Sequence, residues 1–273
     1  MPFFIPQGST LESAVASVNF VSEVASGLRQ TGYVSAYDSG DFDNDSREEI
    51  VVLSRIQSIT GSSAALSMFD WSMTTGVTSA SWVPTCASST HISVGDIDGD
   101  NHSDVLSFNP SNPLVCVHIF NSSTGNFGNA TPISLTSGLI SALLGDIDGN
   151  GQADILSIHQ NGIVSLREYD SKRSIFSENA TITLNQNGTN FPAQLVGFTG
   201  GLLNGPQGDF SLLVADSTGY SSQLAWSTSG ISPTGDTMDG LGEHIDLADI
   251  DGDGDMDVFS ANQQGYTLSL IHI

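Results

Sequence analysis

Residues 95–108, GDIDGDNHSDVLSF, carry aspartates at the first, third, fifth and ninth places counted from Asp96, then pass directly into an apolar run. The same frame returns as GDFDNDSREEIVVLS at 40–54, GDIDGNGQADILSI at 145–158 and ADIDGDGDMDVFSA at 248–261. The leading aspartates are Asp41, Asp96, Asp146 and Asp249, so the intervals are 55, 50 and 103 residues, the last about twice the others. A further unit is therefore expected near residue 198. There GFTGGLLNGPQGDFSLLVA keeps Gly197 in the first place and an apolar run after Asp209, but has lost most of the carboxylates.

Between motifs the same parts recur in order: an apolar run, a Gly or Asn turn, a second run such as LVCVHIF or IVSLREY, and a turn into a third run. Each unit reads as four short strands. A period near fifty with four strands per unit predicts an all-β fold, a β-propeller of four-stranded blades with about five repeats visible and an incomplete ring. A β-sandwich would have no reason to set the same acidic loop after the same strand each time. The expected division is 1–31 as the outer part of a preceding blade or an N-terminal extension, repeats at 32–86, 87–137 and 138–190, a degenerate repeat without a metal loop at 191–240, and a truncated repeat at 241–273. The last six residues, LSLIHI, read either as an ordinary final strand or as a non-native tail.

The acids of the loops are Asp41, Asp43, Asp45 and Glu49; Asp96, Asp98, Asp100 and Asp104; Asp146, Asp148 and Asp154, with Asn150 at the fifth place; and Asp249, Asp251, Asp253 and Asp257. Carboxylates this close repel one another unless protonated or neutralised, and an all-oxygen set selects a hard cation. Ca²⁺ suits the loop better than Mg²⁺, because it tolerates irregular shells of six to eight oxygens. The seventh place, held by Arg47, His102, Gln152 and Asp255, would then contribute its backbone carbonyl, with the His102 side chain pointing to solvent. The sixth place must turn the chain at positive φ, and it holds Ser46, Asn101, Gly151 and Gly254. A single DxDxD is often only an Asp/Gly turn, but four in register are not. An EF-hand is excluded: the twelfth place holds Val52, Ser107, Ser157 and Ser260 instead of Glu, and strand-like runs follow each loop.

The GDIDGDNHSDVLSF and DIDGDGDMDVFSA segments resemble the FG-GAP/VCBS repeat family, seen in integrin α-chain propellers and many secreted proteins. The resemblance spans roughly residues 32–267. It implies calcium loops joining the first two strands of each blade, often in rings of seven, with the ligand places falling on the residues named above. Ser46 with Glu49, Asn150 and the acid-poor fourth unit depart from the family pattern, and its phenylalanine-glycine and glycine-alanine-proline signature is not evident.

Composition agrees with this reading. The formal charge is −24, from 30 acidic and 6 basic residues, which opposes nucleic acid and anionic membranes as partners. Fifteen of the 30 acids stand at the loop places just named, and four divalent ions would bring −24 to −16. No run is long and apolar enough for direct membrane insertion, and the N-terminus lacks a basic n-region. Cys86 and Cys116 read equally as a disulfide or as two buried thiols. Sequons at Asn44, Asn101, Asn121, Asn129, Asn179 and Asn187 fit an extracellular or secreted glycoprotein. The six histidines show no zinc spacing, and no GxSxG elbow or phosphate loop is present. Trp71, Trp82, Trp226 and Tyr266 read as core more readily than as a sugar platform. The expectation is a non-enzymatic, calcium-stabilised module that binds a protein or carbohydrate ligand in adhesion, the alternative being an accessory propeller of a larger secreted polysaccharide lyase or phospholipase.

Overall fold

The computed structural model describes residues 31–58, 61–72, 76–79, 83–86, 88–110, 112–160, 162–170, 173, 175–183, 195–201, 210–227, 230–239, 244–248, 256–262 and 265–269. Every regular element among them is a β-strand. Sheet one holds β1 (Thr31–Gly40), β2 (Glu49–Ser58), β3 (Gly61–Ser72) and β4 (Gly76–Ser79), with β5 (Val83–Pro84) also paired to β3. Sheet two holds β6 (His91–Gly95), β7 (Asp104–Asn109), β8 (Asn112–His118) and β11 (Thr131–Ser134), and a small hairpin of β9 (Phe120–Asn121) and β10 (Asn126–Phe127) stands between its last two strands in sequence. Sheet three is β12 (Leu139–Gly145), β13 (Asp154–His159), β14 (Ile163–Asp170) and β15 (Ile175–Thr183). Sheet four is β16 (Leu195–Gly201), β17 (Ser211–Asp216), β18 (Tyr220–Ser227) and β19 (Gly230–Asp239). Sheet five is β20 (His244–Ala248), β21 (Asp257–Asn262) and β22 (Gly265–Ser269).

Each sheet is an antiparallel meander, and the first strands of successive sheets lie against one another, β1 on β6, β6 on β12, β12 on β16 and β16 on β20. This is blade stacking, and the fold is a β-propeller of four-stranded blades. The second strand of each blade shows why the apolar runs are continuous instead of alternating. Val105 packs back against Val51, Leu53 and Leu66 of sheet one, whereas its neighbour Leu106 packs forward with Leu139 and Ala142 of sheet three. Ile155 and Leu156 repeat the division one blade on, and Leu212 and Leu213 another blade on, Leu213 meeting Val258 of sheet five. A strand buried on both faces needs apolar side chains at odd and even positions alike. Sheet four keeps this core although its sequence has lost the acidic motif, so the blade packing does not depend on that motif.

Adjacent blades are also joined by side chains that cap the free edge of the next first strand. Asp38 Oδ2 accepts the Val94 N–H at 3.0 Å, and one blade later Ser93 Oγ accepts the Leu144 N–H at 2.9 Å. The glycine that opens each of the first three acidic motifs, Gly40, Gly95 and Gly145, lies at this seam. A Cβ on Gly95 would stand 3.0 Å from the Cβ atoms of both Ala153 and Leu144, contacts that only a backbone shift could relieve. We expect Gly95→Ala to cost on the order of 1–3 kcal/mol, measured as an equal fall in melting temperature in calcium and in chelator. A loss confined to calcium would mean that the glycine serves the loop instead of the blade contact.

Cys86 and Cys116 form a disulfide across 30 residues of sequence, tying the entry to sheet two to its third strand. In the loop-entropy model such a link stabilises by about 3–4 kcal/mol. The N-terminal segment assigned to a preceding blade lies outside the described residues, as do residues 270–273 and the side chains of Trp71, Trp82, Trp226 and Tyr266. Among the described residues no helix is long and apolar enough to cross a membrane.

Candidate metal centre

The three described acidic loops each join the first strand of a blade to the second, over residues 41–48, 96–103 and 146–153. Their place in the sheet is fixed by register, since Gly40 pairs with Glu49, Gly95 with Asp104 and Gly145 with Asp154. The side chain at the second place, Phe42, Ile97 or Ile147, is buried and pins the loop to the core. Phe42 packs edge-on against Phe127 at 5.3 Å and near Phe120 at 5.8 Å, on the hairpin of the next blade.

Above these pins the backbone wraps around the first acid. Asp41 accepts N–H groups from Asp45 and Ser46 at 3.1 and 2.8 Å, Asp96 from Gly99 and Asn101 at 2.8 Å each, and Asp146 from Asn150 and Gly151 at 2.9 and 2.8 Å. The fifth-place side chain accepts the seventh N–H in all three loops, Arg47 to Asp45, His102 to Asp100 and Gln152 to Asn150 Oδ1, at 2.9, 3.0 and 2.8 Å. The wrap needs left-handed backbone at the sixth place, observed at Ser46, Asn101 and Gly151 with φ of 67°, 65° and 83°. It needs it at the fourth place as well, where Asn44, Gly99 and Gly149 have φ of 61°, 78° and 72°. The fourth-place requirement is visible in the sequence as the column Asn44, Gly99 and Gly149, residue types that tolerate this backbone.

The ninth acid closes the loop from below and is buried in every described case: Glu49, Asp104, Asp154 and, in the fifth blade, Asp257. Glu49 accepts the Phe42 N–H and Asp104 the Ile97 N–H, both at 2.8 Å, and Asp104 also accepts the Phe120 N–H at 2.7 Å. Burial pushes the Asp104 carboxyl up to about 8, against the pull of its backbone donors and with help from the charges of Asp98 and Asp96. Burial likewise lifts Asp154 to about 8, with Asp148 adding to the shift, and Glu49 to about 7. Asp98 and Asp43 are raised too, first by desolvation and then by neighbouring acids.

Ligand oxygens of Asp41, Asp43 and Asp45 lie within 4.8 Å of one another, and so do those of Asp96, Asp98 and Asp104. Asp98 Oδ1 and both oxygens of Asp154 are buried without a hydrogen-bond partner. Orphaned carboxylate oxygens carry a large desolvation cost, which a hard cation among them would offset. The donor set therefore fits Ca²⁺, with the second loop the most complete. In the first loop the exposed Arg47 guanidinium already meets Asp45 at 2.9 Å, and in the third Asn150 Nδ2 donates to Asp148 at 3.1 Å. Asp249, Asp251, Asp253 and Asp255 lie outside the described residues.

The His102 side chain does not point to solvent: it is half-buried, its Nδ1 lies 2.8 Å from the Phe42 carbonyl of the preceding loop, and its ring leans on Phe120. Away from the loops, a buried hydroxyl–imidazole cluster in sheet two was not anticipated. His118 Nε2 meets Thr85 Oγ1 at 2.8 Å, Thr85 meets Ser107, and burial lowers His118 to about 4, which keeps it neutral.

Comparison with known proteins agrees with this anatomy. The model of the FG-GAP-like repeat matches residues 41–107 and 96–157. No curated protein sequence matches the chain. Among solved structures, BBS1N in its complex with ARL6DN is similar in fold at 13% identity and a TM-score of 0.54, covering 88% of this chain and 67% of its own. The exotype rhamnogalacturonan lyase YesX is similar at 14% identity and a TM-score of 0.52; the match covers 89% of this chain but only 47% of the lyase. The repeat match falls on the very loops that build the site, and over residues 41–157 the chain is similar to the FG-GAP-like repeat.

Proposed function

We propose that this chain is a calcium-stabilised, extracellular propeller module that presents a ligand-binding surface for a protein or carbohydrate and carries no catalytic machinery of its own. The observation behind the calcium reading is the second loop, where Asp96, Asp98 and Asp104 converge within 4.8 Å and Asp98 Oδ1 is buried without a partner. Asp96, Asp98, Asp100 and Asp104 with the His102 carbonyl would hold the ion there. Their counterparts elsewhere are Asp41, Asp43, Asp45, Glu49 and Arg47; Asp146, Asp148, Asn150, Asp154 and Gln152; and Asp249, Asp251, Asp253, Asp257 and Asp255. The bound ion would supply positive charge that cancels carboxylate repulsion and locks the turn between two strands. The Cys86–Cys116 disulfide and the sequons support an extracellular setting.

Metal analysis of protein dialysed against millimolar calcium should find up to four ions per chain, retained best at the loops beginning Asp96 and Asp249. Protein that carries no calcium, or that takes up zinc in preference, would end this reading. The second reading, an accessory propeller of a larger secreted enzyme, is favoured by one observation: the similar lyase is about twice the length that this chain matches. Activity that needs a segment beyond this chain, and stays unchanged when residues of this chain's surface are altered, would select it.

A further inference from the structure

Successive acidic loops are bonded to each other, and by the same two places each time. The eighth-place N–H of one loop donates to the first-place carbonyl of the loop before it, Ser103 to Asp41 at 2.9 Å and Ala153 to Asp96 at 2.5 Å. The seventh-place side chain reaches back beside it. His102 Nδ1 meets the Phe42 carbonyl at 2.8 Å, and Gln152 Nε2 meets the Asp98 carbonyl at 2.9 Å. A carbonyl can only accept, so His102 carries its proton on Nδ1. Imidazole and carboxamide thus both bond a backbone carbonyl of the preceding loop, at its second place and its third place respectively.

The places involved matter. The peptide after the seventh place holds both the carbonyl that would bind the loop's own ion and the eighth-place N–H that grips the loop before. At the other end, the gripped carbonyls belong to places one to three, the stretch that sets the direction of the first and third ligands. Fixing the seventh place of loop two therefore also fixes Asp41 and Phe42 of loop one, and fixing loop three orders Asp96 through Asp98.

We infer that His102 and Gln152 are positioning residues that couple ion binding in consecutive loops, so that filling one loop raises the affinity of its neighbour. The inference rests on the calcium reading above. Coupling between sites is reciprocal, so the linkage runs in both directions along the row of blades.

The test uses the full chain with Asp148→Ala and Asp251→Ala, leaving the loops at Asp41 and Asp96 as the two sites, titrated with calcium by calorimetry. The second ion is expected to bind more tightly than the first. His102→Ala should reduce that ratio of stepwise constants about two- to tenfold, the span of one net hydrogen bond, with the strand signal in circular dichroism retained. His102→Gln, which supplies the donor that loop three already uses, should restore it. If His102→Ala does not fold, Gln152→Ala in a chain with Asp43→Ala and Asp251→Ala reads the second joint in the same way. Two ions that bind independently, or a ratio unchanged by removal of the donor, overturns the coupling while leaving the calcium sites intact. A parent chain that binds no calcium overturns both.

Discussion

Chelation of calcium is expected to lower the melting temperature of this protein by about 5–20 °C, the sum over the three described loops. Extracellular modules bind calcium with dissociation constants of about 10⁻⁴–10⁻³ M, so at a few millimolar ion each filled loop contributes roughly 0.8–2 kcal/mol by mass action. Three loops contribute about 2.5–6 kcal/mol, and in a chain of this size each kcal/mol moves the midpoint by about 2–4 °C. Set against a total stability of about 5–15 kcal/mol, this is a large share. Asp98→Ala should lower the midpoint in calcium by a few degrees and by clearly less in excess chelator, because Asp98 Oδ1 has no hydrogen-bond partner to lose and only the contacts with Asp100 go with it. Asp96→Ala should behave differently, since Asp96 accepts two loop N–H groups and would destabilise under both conditions. Equal losses for Asp98→Ala with and without calcium would identify it as a turn former and remove the second loop from the metal account.

The second large effect is in pH, and its sign depends on whether the ion is present. Without calcium, burial raises Asp104 and Asp154 to about 8 and Glu49 to about 7 in the folded chain, against ordinary carboxylate values near 4 when unfolded. A carboxyl raised on folding binds its proton more tightly in the native state. Its contribution to stability is complete below about pH 4 and is lost as pH rises through about 7–8. The chelated protein should therefore melt lower as pH climbs from 5.5 to 8.5, by roughly 10–30 °C. In millimolar calcium the cation replaces the proton, and the profile over the same window should be flat or rising. Asp104→Asn with Asp154→Asn fixes the neutral form and should flatten the chelated profile. A chelated midpoint that holds steady across the window, or a slope the double variant leaves untouched, would show that these buried acids do not hold protons in the ion-free fold.

Much of this was legible in the chain itself because it rests on repetition and on local chemistry. The fifty-residue spacing of Asp41, Asp96 and Asp146 is the spacing of the first three blades, and a fourth sheet forms at 195–239 without the acidic motif. Acids at the odd places of the motif, with a tight turn at Ser46, Asn101 and Gly151, gave the loops and their backbone, since both ligand spacing and left-handed φ are properties of eight or nine consecutive residues.

What only the tertiary structure decided are the relations between repeats. The sequence left Cys86 and Cys116 open, because 30 residues of separation say nothing about whether two strands bring them together. It sent His102 to solvent, because a polar side chain on an acidic loop looks exposed until the neighbouring blade's Phe42 carbonyl is placed 2.8 Å away. Nothing in the local sequence explains the glycine at 95, where the constraint comes from Ala153 and Leu144 on the next sheet. And it made Asp104 and Asp154 two acids among 30, whereas their burial under a loop, which raises their proton affinity, follows from the core that the blades build beneath them. Ligand spacing is written along the chain, but burial and inter-blade contact are made by residues fifty positions apart, and no local pattern encodes a distance through space.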